Sequence, residues 1–222
     1  MKAMILAAGR GERLRPLTDL LPKPLVTVAG KPLIEYHIER LAALGIREIV
    51  INCAWLAEKL MAHLGDGSRF GVTLYYSQEA SALETGGGIK QALPLLGDAP
   101  FLVVNGDIFI DKLPALPTQL AAGCLAHLWL VDNPQHNPNG DFALINNQLC
   151  SDGESKLTFA GIGLYDPALF ANCTEQRFPL GPLLRNAMQL KQISGEQFTG
   201  FWCDVGTIER LTTAEAFALT QQ

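Results

Sequence analysis

The chain has 222 residues, 48% of them hydrophobic, and a formal net charge of −5. Such a length holds one full core, and such a composition excludes a disordered or low-complexity chain. The acidic balance, without any Lys/Arg cluster, excludes a general nucleic-acid binder. The opening apolar run, Ala3 to Ala8, is too short for a signal-peptide core, and no later run approaches the roughly 18 residues of a bilayer span. The chain therefore reads as cytoplasmic and soluble, with no membrane partner. Cys53, Cys124, Cys150, Cys173 and Cys203 are widely spaced, with no Cys-x-x-Cys, and read as reduced, mostly buried thiols.

Ala3 to Ala8 predicts a strand that runs into a loop bearing Gly9, Gly11, Arg13 and Arg15. Lys31-Pro32 opens a helix to Leu44, with Leu33, Ile34, Ile38, Leu41 and Leu44 on one face and Gly45 closing it. Glu35, Glu39 and Arg40 read as its solvated face. Ile46 to Asn52 predicts a buried strand, Ala54 to Leu64 a helix, and Val72 to Ser77 a strand. Gln78 to Gly88 reads as a glycine-bearing loop before a short helix from Ile89 to Leu96. Phe101 to Val104 predicts the fourth strand, ending at Asn105-Gly106-Asp107. This alternation predicts an α/β fold with a mostly parallel sheet and helices on both faces. Gly9, Gln78 and Asp107 fall at the carboxyl ends of strands, where ligands of such sheets sit.

The second half is less regular. Cys124 to Val131 predicts a strand, and Asp132 to Gly140 a turn-rich excursion. Phe142 to Ile145 is extended, Asn146 to Lys156 a polar loop, and Thr158 to Tyr165 a strand. A helix runs from Pro182 to about Leu190, a strand from Gln197 to Cys203, and a closing helix from Thr207 to Leu219. One domain is expected over residues 1–222. A nucleotide-binding half reaches to about 110, and a sugar-binding half from about 111 forms a lid over the sheet's carboxyl edge.

Gly9-x-Gly11 alone is a tight turn or a phosphate loop. It lacks the third glycine of a dinucleotide fingerprint, and no Gly-Lys-Ser/Thr occurs. Lys23 between Pro22 and Pro24 adds a cation on a rigid backbone. Glycines that admit backbone amides, with a fixed arginine and a fixed lysine, suit a triphosphate whose pyrophosphate leaves. Asp107 and Asp204 end two strands and are either helix caps or ligands of Mg²⁺, which takes few carboxylates and keeps positions for water and phosphate oxygens.

The run Leu6-Ala7-Ala8-Gly9-Arg10-Gly11-Glu12-Arg13-Leu14-Arg15-Pro16-Leu17-Thr18 with Pro22-Lys23-Pro24-Leu25 resembles the signature of sugar-1-phosphate nucleotidyltransferases. Asn105-Gly106-Asp107 and Trp202-Cys203-Asp204-Val205-Gly206-Thr207 extend the resemblance over nearly the whole chain. It implies a Rossmann-like (GT-A-like) mixed sheet and the substrates UTP and a sugar 1-phosphate. The short chain is most similar to members that act on N-acetylmuramate 1-phosphate in peptidoglycan recycling. Mannose-1-phosphate guanylyltransferases and glucose-1-phosphate thymidylyl- or uridylyltransferases share much of the pattern.

The resemblance also implies roles. Leu6, Ala8, Gly9, Gly11, Glu12, Arg13 and Lys23 would hold the nucleotide, with Gln78 and Gly86 at its base. Arg13, Lys23 and Asp107 would be catalytic, and Asp107 with Asp204 would bind Mg²⁺. Asn105, Gly140 and Glu154 would meet the sugar. Many relatives carry Glu-Lys-Pro where this chain has Glu154-Ser155-Lys156-Leu157. That departure leaves the sugar open more than the reaction. A monomer or weak homo-oligomer is expected. The rival readings are a glycosyltransferase, which would release no pyrophosphate, and a non-catalytic nucleotide-sugar sensor.

Overall fold

In the computed structural model, which describes residues 1–221, the apolar runs become strands of one mixed sheet. The first half contains β1 (Ala3–Leu6), α1 (Leu17–Leu20), β2 (Thr27–Val28), β3 (Lys31–Pro32), α2 (Leu33–Ala43), β4 (Glu48–Cys53), α3 (Ala57–Leu64), β5 (Thr73–Gln78), α4 (Glu84–Leu96), β6 (Phe101–Asn105) and β7 (Ile108–Ile110). The second contains β8 (Ala126–Val131), β9 (Phe142–Ile145), β10 (Gln148–Cys150), β11 (Lys156–Tyr165), α5 (Leu180–Gln189), β12 (Ile193–Gln197), β13 (Trp202–Asp204) and α6 (Ile208–Leu219).

Nine strands follow the order β5-β4-β1-β6-β11-β8-β12-β10-β9. The first four are mutually parallel, as the alternation of strand and helix requires. From β6 onward most pairings are antiparallel, with β8–β12 parallel. The expected lid is therefore corrected. Most of the second half extends the sheet itself, because the buried C-terminal end of β11 docks on the edge of β6 from Ile162↔Val104 to Tyr165↔Phe101.

Side chains alternate between the two faces. Ala3, Ile5, Ile49, Ile51, Leu102 and Val104 pack with Ile34, Ile38 and Leu41 of α2 and Leu60 and Leu64 of α3. Met4, Val50, Phe101 and Val103 pack with Ile89 and Ala92 of α4 and Leu180 and Leu184 of α5. A third cluster joins Leu211 and Ala214 of α6 to Phe109 and Val205, beneath the β7–β13 ribbon. The apolar stripe of α2 ends as expected: Gly45 takes φ +81°, its N–H donates to Ala42 O, and the Ile46 N–H donates to Leu41 O. No helix among the described residues is long and apolar enough to cross a membrane.

Several boundaries differ from expectation. Asn146 and Asn147 both take positive φ, 51° and 61°, and make a two-residue turn that folds β10 back on β9 inside the predicted loop. The predicted strand from Gln197 to Cys203 is two strands, because the chain leaves the main sheet after β12 to pair β13 with β7. Arg40 is not on a solvated face. Its guanidinium lies 5.1 and 5.2 Å from the ring centres of Tyr36 and Phe109, and its Nε donates to Asp111 O. Cys150 and Cys173 are only half-buried, whereas burial pushes the Cys53 and Cys203 thiols up to about 11.

α2 also buries His37 completely, with neither ring nitrogen hydrogen-bonded among the described residues. Burial, then the charge of Arg40, lowers its pKa from 6.5 to about 3. Across that window the unfolded chain binds the proton and the folded chain does not, so this group's contribution to stability falls as pH falls from 6.5 toward 3. A His37→Leu variant is expected to lose that part of the acid dependence. Urea midpoints between pH 7 and about 5 read it, and an unchanged slope would refute the assignment.

Candidate active site

The carboxyl ends of β1, β4 and β6 open into a cleft of about 620 Å³. Its lining includes Leu6, Ala8, Gly9, Gly11, Glu12, Arg13, Lys23, Asn105 and Asp107. Those side chains come together because the parallel strands bring their following loops to one edge.

The glycine loop is fixed at Gly11. Its φ is +64°, and its carbonyl accepts from Leu14 N–H and from the Thr18 hydroxyl at 2.7 Å. A β-carbon there would lie 2.9 Å from Thr18 Cγ2 and 3.0 Å from Lys23 Cβ, so backbone and space both require glycine. Nothing lies within 4 Å of a β-carbon built on Gly9, which leaves its backbone open to the cleft.

Lys23 begins a 3₁₀ turn flanked by Pro22 and Pro24 and is 8% exposed. Its Nζ donates to Asp107 Oδ2 at 2.8 Å. Asp107 stands between β6 and β7, and its carbonyl accepts from Val205 N–H at 2.7 Å. That bond, with the pairing of Asp204 to Ile108, brings the backbones of the two acids to the same end of the ribbon. Asp204 Oδ2 accepts from Arg210 Nη1 at 3.0 Å and lies 3.3 Å from His136 Nε2. Its Oδ1 is buried without a hydrogen-bond partner. Each acid thus keeps one oxygen outside its ion pairs. Two monodentate carboxylates of this kind fit an ion that fills its other positions with water and phosphate. Among the described residues, no cluster of three His, Cys, Asp or Glu side chains could hold a metal ion by itself.

Two residues absent from the sequence reading line the cleft's other wall. Asn52 Oδ1 accepts from Ala7 N–H at 2.8 Å, and Asn52 Nδ2 donates to Glu79 Oε1 at 2.7 Å. Glu79 Oε2 accepts from Leu83 N–H at 3.1 Å. Glu79 is only 7% exposed, so this chain of bonds ties the loops after β1 and β5 to the end of β4 in one wall. Glu84 lines the same wall with φ +61°, an uncommon conformation for a residue with a side chain.

Four expected contacts stand elsewhere. Gln78 ends β5 and donates to Met61 Sδ, outside the cleft lining, because strand alternation turns it away while Glu79 turns in. Gly86 is not in a loop: α4 starts at Glu84, and a β-carbon on Gly86 would collide with the Phe178 ring. Gly140 packs against the Lys156 backbone, and Glu154 is exposed in the loop before β11; neither lines the cleft. Lys156 pairs with Asp152 at 3.8 Å, also away from the cleft.

A sequence model described as nucleotidyl transferase matches residues 2–123. Over 227 aligned residues the chain is 53% identical to the N-acetylmuramate alpha-1-phosphate uridylyltransferase of Neisseria meningitidis serogroup B, covering 98% of both chains. The chain belongs to the nucleotidyl transferase family. This nucleotidyltransferase is also 34% identical to the protein of the same description from Caulobacter vibrioides, over 96% of this chain and 95% of that one. Its fold matches a solved Bacillus anthracis structure, assigned as a candidate glucose-1-phosphate thymidylyltransferase, with a TM-score of 0.84. That match has 22% identity and covers 98% of the nucleotidyltransferase and 95% of the solved chain. The family model covers the glycine loop, Lys23 and Asp107, whereas the two full-length relatives also span Asp204.

Proposed function

We propose that this enzyme transfers a uridylyl group from UTP to a sugar 1-phosphate, N-acetylmuramate 1-phosphate first among them, and releases pyrophosphate. The observation that carries the reaction class is the convergence of Arg13, Lys23 and Asp107 on one cleft with an open glycine loop. The uridylyl and muramate assignments are supported by full-length likeness to a relative of that description. The setting is the cytoplasm and the recycling of cell-wall sugars.

An oxygen of the sugar's phosphate attacks the α-phosphorus of UTP, a new P–O bond forms, and the bond to the β-phosphate oxygen breaks. The nucleophile is already anionic near neutral pH, so no general base is needed. The protein's part is positioning and charge. Amides of Gly9 to Glu12 and the Arg13 guanidinium hold the β- and γ-phosphates. Lys23, parked on Asp107 before substrate arrives, turns to the α-phosphate as charge gathers there. Asp107 and Asp204 would hold Mg²⁺ through their free oxygens, and that ion when bound supplies further positive charge to the phosphates. The Asn52–Glu79 wall bounds the space left for the base.

The test is a matrix of UTP, GTP, dTTP and ATP against the 1-phosphates of N-acetylmuramate, N-acetylglucosamine, glucose and mannose, read by pyrophosphate release. UTP with N-acetylmuramate 1-phosphate is expected to turn over fastest. Preference for GTP and mannose 1-phosphate would overturn the uridylyl assignment and leave the reaction class standing. Transfer to an acceptor without pyrophosphate would overturn both.

A further inference from the structure

The connection between β11 and α5 crosses back to the nucleotide half and lies along the first two turns of α4. Lys90 Nζ donates to Glu175 O at 2.9 Å, Phe178 N–H to Leu83 O at 3.2 Å, and Gly87 N–H to Phe178 O at 3.1 Å. The absent side chains of Gly86 and Gly87 admit the Phe178 ring and the Gln176 carbonyl. The next glycine faces the cleft wall: a β-carbon on Gly88 would lie 2.7 Å from Glu79 Oε1 and 3.0 Å from Asn52 Nδ2. α4 is therefore wedged between a strap from the second half of the chain and the wall that bounds the space for the base.

The strap also makes an ion pair at the rim of the cleft, where Arg177 Nε donates to Glu84 Oε1 at 3.2 Å. Glu84 lines the cleft, and Arg177 stands behind it. This pair is badly placed to serve stability. The two side chains are 68% and 40% exposed, and an exposed ion pair contributes little. Glu84 also takes φ +61°, where a residue with a β-carbon costs at least as much as such a pair contributes. Glycine would relax the backbone there. The use of the Glu84 side chain therefore lies at the cleft. The cleft's cations, Arg10, Arg13 and Lys23, belong to the segment after β1, whereas Glu79 and Glu84 follow β5, two strands away in the sheet. A triphosphate turns its phosphates toward the cations and leaves its nucleoside to the acidic side.

We infer that Glu84 and Arg177 are positioning residues for the nucleotide. Their ion pair sets the first turn of α4 against the Asn52–Glu79 wall, so the second half of the chain fixes the nucleoside end of the cleft from behind. For the identity of the nucleotide this inference rests on the uridylyltransferase reading above.

Titration calorimetry with UTP and with inorganic pyrophosphate, both in the presence of Mg²⁺, tests it on the wild type, Arg177→Ala, Glu84→Gln and the double variant. Each single change is expected to raise Kd for UTP about fivefold, the effect of losing one exposed charge pair, while Kd for pyrophosphate, which carries no nucleoside, stays within about twofold. The double variant should bind no worse than either single one, because both changes remove the same bond. Arg177→Lys, which keeps the charge, should recover part of the loss. Glu84→Gly is expected to melt at or above the wild-type temperature and still bind UTP more weakly. Unchanged UTP binding in both single variants overturns the inference. Equal rises for UTP and pyrophosphate overturn it too, as does weaker binding that appears only with a lower melting temperature, since either makes the pair a structural tie. A wild type that binds UTP but releases no pyrophosphate with any sugar 1-phosphate removes the uridylyltransferase reading, and the binding comparison still decides this inference.

Discussion

Lys23→Ala is expected to lose roughly 100-fold or more in kcat while still folding, a loss of the size seen when one preorganised charge donor is removed. The partner left behind, Asp107, has a side chain 39% exposed, so water can take the place of the ammonium. The change in stability should be about 1 kcal/mol or less, or roughly 2–4 °C in Tm for a chain of this size. KM for UTP should move less than kcat, because Lys23 meets its full charge partner only as the bond to pyrophosphate breaks. Lys23→Arg should not rescue turnover. The space around the stem is closed by Gly11 and Thr18, where a β-carbon on Gly11 would already lie 3.3 Å from Lys23 Cδ. Pyrophosphate release at saturating UTP is the measurement, and near-wild-type turnover in Lys23→Ala would remove this residue from the mechanism.

Asn52→Ala is expected to be the most damaging single change at the cleft wall. It leaves the Ala7 N–H without its acceptor and the buried Glu79 without one of its donors. Two buried polar groups left short cost about 1–3 kcal/mol each, so the loss should be about 2–6 kcal/mol. That corresponds to a fall in Tm of roughly 5–15 °C. KM for UTP should rise as well, because the loops after β1 and β5 no longer share a tie. Asn52→Asp keeps the shape and places a second carboxylate beside Glu79, so it should do worse near neutral pH than in mild acid. Melting within a degree or two of wild type for Asn52→Ala would show that the wall does not depend on this bond.

The phosphate loop, Lys23 and Asp107 were legible because each lies in a contiguous run whose residue types already state the chemistry. Asn52 and Glu79 were not, since their roles arise from bonds spanning 45 and 27 residues, and neither sits in a motif. Gln78 and Glu79 adjoin at the end of β5, and composition alone does not say which of the two points inward. α4 begins at Glu84, ahead of the expected Ile89, for a physical reason. Gly86, Gly87 and Gly88 are poor helix formers, at about 1 kcal/mol each, yet Phe178, the Gln176 carbonyl and Glu79 press so close that no larger residue fits. Tertiary packing overrides propensity there.

The seam between β6 and β11 has a consequence for how the polypeptide is made. The parallel quartet closes at Asn105, but Phe101, Leu102, Val103 and Val104 keep a bare hydrogen-bonding edge until residues 162–165 arrive to cover it. During synthesis that edge is exposed for more than fifty residues, a template on which another nascent chain could add a strand. A fragment cut after residue 123, where the family match stops, retains that edge permanently. The antiparallel half of this enzyme is thus also the cover that lets its nucleotide half exist as a separate molecule.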